Sequence, residues 1–109
     1  MSYDPALAER VRQQLYSHPG MTEKVMFGGI AFLLNGNMCC GVHGQDLIVR
    51  LAPELGDQVL SDPYVRPFDL SGRPMKGWLF IHPSGLTTED DLTGWLNLAV
   101  AFTESLPPK

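Results

Sequence analysis

Met26-Phe27-Gly28-Gly29, the apolar run 30–34, the pair Asn35-Gly36 and a second apolar run over 37–42 form the stretch that decides the fold. Two adjacent glycines lead into apolar residues, Asn-Gly interrupts them, and apolar residues return. This is the pattern of a β-hairpin closed by a type I′ turn. Both central residues of that turn need positive φ, which Asn and Gly tolerate.

The turn sets a register. With Asn35-Gly36 at its centre, Leu34 faces Asn37, Leu33 faces Met38, Phe32 faces Cys39 and Ala31 faces Cys40. A second tight turn at Gly44-Gln45 pairs Val42 with Leu47, Cys40 with Val49 and Cys39 with Arg50. One face of this meander then carries Ala31, Leu33, Met38, Cys40, Val42, Leu47, Val49 and Leu51, all apolar. A slip of one residue would mix the faces, so the pattern supports the register. The other face carries Ile30, Phe32, Leu34, Asn37, Cys39, Gly41, His43, Asp46, Ile48 and Arg50. It is too apolar for a solvated outer face. Ile30, Phe32, Leu34 and Ile48 require cover, from a helix of the same chain, a second copy or a partner.

Outward from the meander, Asp4-Pro5 opens a helix with an N-cap and a first-turn proline, and Leu7, Val11 and Leu15 form its buried stripe. The segment 22–25 leads into the glycine pair. Residues 53–60 read as a short helix stopped by Asp62-Pro63. A strand over 64–68 is pushed to a sheet edge by Pro67. After a loop over 69–74, the last strand, over 75–81, alternates Met75, Gly77, Leu79 and Ile81 against Lys76, Trp78 and Phe80. Thr88-Glu89-Asp90-Asp91 caps a final helix with an acidic first turn and an apolar stripe from Leu92 to Phe102. The order α-βββ-α-ββ-α predicts a two-layer α+β fold on one antiparallel sheet of about five strands.

A chain of 109 residues is read as one domain over 1–109. With 44% apolar and 18% charged residues it is an ordinary globular sequence. No apolar run reaches the roughly 20 residues of a membrane span, and the N-terminus lacks the pattern of a signal peptide. A cytoplasmic location is the expectation. Net charge −4 argues against direct nucleic-acid binding. Cys39 and Cys40 are adjacent in a strand and expected on opposite faces, so no disulfide is expected between them.

The Met26-Phe27-Gly28-Gly29 lead-in, the Asn35-Gly36 hairpin, the strand 47–51 and the Gly72-Arg73-Pro74-Met75 loop resemble the TfoX/Sxy N-terminal domain over about residues 8–105. The resemblance rests on the order and spacing of short motifs. It implies a stand-alone N-terminal domain with a fold similar to secretion-chaperone-like and YgaC-like domains. The family's namesakes regulate natural competence as coactivators beside the cyclic-AMP receptor protein. The resemblance carries no catalytic residues over to this chain.

Chemistry read from the residues themselves is sparse. Cys39 beside Arg50 suggests a lowered thiol pKa, but His43 lies four residues along the strand, about 13 Å away by strand rise, beyond direct reach of a general base. His18, His43 and His82 show no zinc spacing, so no metal and no cofactor are expected. Gly28-Gly29 leads into a strand and lacks the helix N-terminus of a phosphate loop, so its role is backbone: a bulge, a bend or a close approach. Arg66, Arg73 and Lys76, with Trp78 beside them, form the best place for a carboxylate, phosphate or acidic partner.

The expectation is a non-enzymatic interaction or regulatory module that binds a protein partner or self-associates. Its contacts come from Ile30, Phe32, Leu34, Cys39, Ile48 and Arg50, with Arg66, Arg73 and Lys76 as a polar rim and Trp78 beside them as a stacking face. The competing expectation is a small-ligand binder or small enzyme built on Arg50, Arg66, Arg73 and Lys76 with Cys39.

Overall fold

The computed structural model describes residues 3–26, 28–68 and 75–108. Six strands form one antiparallel sheet: β1 (Met21–Met26), β2 (Gly29–Leu34), β3 (Asn37–His43), β4 (Asp46–Arg50), β5 (Val65–Pro67) and β6 (Trp78–Ile81), in the spatial order β1-β2-β3-β4-β6-β5. Among the described residues three α-helices accompany them: α1 (Pro5–Leu15), α2 (Pro53–Val59) and α3 (Glu89–Glu104). The α+β class and the antiparallel sheet are as the sequence predicts, with one strand more.

The extra strand is β1, over residues read only as a lead-in. Its residues Thr22, Glu23, Lys24 and Val25 are all exposed, because β1 is an edge strand and buries almost nothing. Without a buried face it shows no alternation to read. The glycine pair therefore closes a hairpin: Met26 pairs with Gly29, and Gly28 takes φ 71° in the turn. A Cβ on Gly29 would stand 2.2 Å from the Val42 carbonyl oxygen, so this position is a close approach of the neighbouring strands β2 and β3. Asn35 at φ 53° and Gly36 at φ 86° form the type I′ turn.

Helices α1 and α3 lie across β2, β3 and β4, and α2 reaches β6. Leu7, Val11 and Leu15 of α1 and Leu92, Leu96 and Val100 of α3 pack into one core with the sheet, joined by Leu55 and Val59 of α2. Asp4 caps α1 by accepting from the Ala6 N–H at 2.9 Å. Thr88 and Asp91 form a reciprocal capping box on α3. The last two strands are shorter than expected, and the 69–74 loop, with Arg73, lies outside the described residues.

The expected register holds from the Asn35-Gly36 turn only as far as Leu33–Met38. There the ladder shifts: Phe32 pairs with Cys40, Ala31 with Gly41 and Ile30 with Val42, leaving Cys39 as the extra residue of a β-bulge. Beyond it, Cys40–Val49 and Val42–Leu47 pair as expected, but Arg50 pairs with Trp78. The bulge exchanges the faces of β2. Ile30, Phe32 and Leu34, expected on the outer face, lie in the helix-covered core with Cys39. Cys39 and Cys40, expected on opposite faces, both belong to that core. Leu33 and Met38, expected in the core, pair on the face turned away from the helices.

Candidate functional site

The face of the sheet turned away from the helices carries a second apolar cluster. Ile48, Phe68 and Phe80 are buried at its centre, with Met38 and Trp78 half-buried against them. No described helix residue belongs to this cluster. The Phe68 ring stacks on Phe80 at 5.0 Å and lies 5.9 Å from the ring of Trp78. Alternation along β6 puts Trp78 and Phe80 here, and Leu79 and Ile81 under the helices.

Two arginines border the cluster. Arg66, on edge strand β5, lies over the Phe80 ring at 4.4 Å and donates to Asp46 at 2.8 Å. Arg50, the last residue of β4, sits 5.1 Å from the Trp78 ring and 5.5 Å from the Phe102 ring of α3. A cation over an aromatic face is held by the ring quadrupole. His43 lies on the same side, its ring 6.0 Å from that of Phe80. A cleft of about 270 Å³ opens beside Trp78, lined by Asp57 of α2, Leu60, Pro67, Met75 and the exposed Lys76.

Of the residues expected to form the site, the structure brings Ile48, Arg50, Arg66 and Trp78 to this face, with Lys76 at the adjoining cleft. Ile30, Phe32 and Leu34 are buried under the helices. Cys39 has no exposed surface at all, so a substrate does not reach its sulfur in this conformation. The adjacent Cys39 thiol together with burial holds the Cys40 thiol well above the ordinary thiol range. Cys39 and His43 lie on opposite faces of the sheet.

Sequence reasoning missed Met38, Phe68 and Phe102 as neighbours of these groups. Met38 was hidden by the bulge. Phe102 sat in the apolar stripe of α3, whose last turn reaches past the core to Arg50.

Among the described residues, no group of three or more His, Cys, Asp or Glu side chains is placed to hold a metal ion. Among the same residues, no helix is long and apolar enough to cross a membrane. Among the described residues, other clefts include one of about 270 Å³ between α1 and β1 at Tyr16 and Met21, a small one of about 100 Å³ at Leu7, Arg10 and Leu86, and an open groove of about 490 Å³ at Val59, Trp95 and Leu98.

No curated protein and no solved structure matches the chain. The glycine-closed hairpin, the meander, the final strand and all but the last residue of the final helix fall within residues 13–103, which match the TfoX N-terminal domain. That match spans most of the 109 residues, and the chain belongs to the TfoX N-terminal domain family.

Proposed function

We propose that this domain is a non-enzymatic interaction module that takes a protein partner, or a second copy of itself, on the helix-free face of its sheet. The observation that carries this reading is the second apolar cluster. Ile48, Phe68 and Phe80 gather Met38 and Trp78 on a face to which no described helix contributes. The centre of the cluster is closed within the chain, and the half-buried Met38 and Trp78, with the exposed Met75 near them, are the apolar surface it leaves for contact with something else. Arg50 and Arg66 at its border give the polar rim that a specific interface carries around its apolar centre.

The test is Met38→Asp, at a half-buried position on the rim of the cluster. Light scattering and affinity capture are run on parent and variant, with a thermal melt to establish that both fold. A dimer mass that falls to the 12.0 kDa of one chain supports the reading. So does a monomer whose captured partner is lost in Met38→Asp and kept in the helix variant Gln58→Asp. A monomeric parent with the same captured proteins as a folded Met38→Asp overturns it.

A further inference from the structure

Arg50 differs from the other described arginines. Arg10 pairs with Glu89, Arg12 with Glu9 and Glu23, and Arg66 with Asp46. Arg50 has two aromatic rings and, among the described residues, no carboxylate. The chain has 12 acidic residues against 8 basic ones, so acid is not scarce. A guanidinium presents five N–H donors in a planar fork, and ring faces attract its charge while occupying none of those donors. Trp78 comes from β6 and Phe102 from α3, both anchored in the sheet and core. The fork is therefore oriented before any ligand arrives, which lowers the entropy lost on binding.

The neighbouring cleft supplies the rest of a recognition site. Trp78 forms part of its wall, Leu60, Pro67 and Met75 add apolar surface, and Lys76 brings a second cation with no ion pair among the described residues. Asp57 of α2 also lines the cleft, so the cleft suits the uncharged side chain of a ligand and the carboxylate belongs on Arg50.

We infer that this corner anchors an acidic segment of a partner protein. One carboxylate of the segment lies on the Arg50 fork, and an adjacent aliphatic or aromatic side chain enters the cleft beside Trp78. The inference deepens the interaction reading above and rests on it. Three comparisons select this occupant. A cleft of about 270 Å³ is smaller than the roughly 300–1,000 Å³ that encloses a whole small ligand, and suits one side chain. Two unpaired cations neutralise too few phosphates to hold a nucleic acid against salt, on a chain of net charge −4. A planar carboxylate matches the guanidinium fork through two parallel hydrogen bonds.

The probe is a set of fluorescein-labelled peptides, acetylated and amidated at their ends. Each places one Asp or Glu at a varied spacing from one Leu or Phe in a Ser/Gly background. Matched peptides carry Asn or Gln instead. Binding to the whole chain is read by polarisation at about 150 mM salt. The expected result is an acidic peptide that binds at least about tenfold more tightly than its amide twin. Arg50→Gln removes that preference, Arg50→Lys keeps part of it, and the Trp78 indole N–H signal shifts on titration. Thermal melts of both variants separate loss of binding from loss of fold, and Arg50→Lys carries the test if Arg50→Gln unfolds.

A preference that never appears, or that survives unchanged in folded Arg50 variants, overturns the inference. Benzoate or an oligothymidylate that displaces the best peptide at equal concentration overturns the choice of a peptide. If the peptides fail while Met38→Asp still abolishes the dimer or the capture, the acidic-segment inference falls and the interaction reading stands. If both fail, both fall.

Discussion

Cys39 sits where β3 has one residue more than β2, and the bulge turns its side chain into the helix-covered core beside Cys40. Two buried thiols are reached by a reagent only when the surrounding structure opens. Alkylation in the native state should therefore be slower than in denaturant by on the order of a thousandfold or more, given ordinary domain stability. Mass spectrometry of iodoacetamide-treated protein measures this. Labelling of native Cys39 at the rate of a free thiol would contradict the buried placement and revive a reactive role for it. The bulge itself was not legible. Residues 30–34 are apolar without interruption, so a shift of one position leaves an apolar residue on either face and the alternation argument loses its force there. From 40 to 51, beyond the bulge, one face is consistently apolar, and there the Cys40–Val49 and Val42–Leu47 pairs were read correctly.

Among the elements, α3 was legible from its first four residues, because capping chemistry is local. The Thr88 side chain accepts from the Asp91 N–H at 3.0 Å, and the Asp91 carboxylate accepts from the Thr88 N–H at 3.4 Å. Thr88→Ala removes the acceptor for one orphan donor of the first turn, and should destabilise the domain by about 1 kcal/mol. Thr88→Ser should retain most of that. Urea unfolding checks both, with the m-value expected to stay constant; a Thr88→Ala midpoint equal to that of the parent would show that the cap contributes nothing. Strand β1 is the opposite case. Its pairing with β2 comes from backbone hydrogen bonds and a glycine turn, while its exposed side chains carry no periodic signal. The candidate site depended on both kinds of element. Alternation along β6 was readable and placed Trp78 and Phe80, whereas the exchange of faces in β2 removed Ile30, Phe32 and Leu34 from the surface.

Across the whole molecule, charge is arranged as seams between layers on the helix side. Arg10 of α1 donates to Glu89 at the start of α3, and to the carbonyls of Leu86 and Thr88. Arg12 of α1 bonds Glu9 on its own helix and Glu23 on β1. Hydrogen bonds from Arg10 and then Gln14 hold the Glu89 carboxyl below its ordinary pKa of 4.5, and those from Arg12 and then Gln13 do the same for Glu9. Both groups ionise more readily folded than unfolded, so the unfolded chain binds more protons as the solution is acidified. Their contribution is fully present above about pH 4.5 and is lost as pH falls through the lower folded values. Both carboxylates are exposed, so the contribution is small and weakens further with salt. Urea midpoints measured at pH 7, 4 and 3 should therefore fall with acid more steeply in the parent than in the double variant Arg10→Gln, Arg12→Gln. Raising the salt to about 1 M should bring the two profiles together. Parallel profiles at low salt would show that these seams hold no proton-linked stability, and that α1 is kept in place by Leu7, Val11 and Leu15 alone.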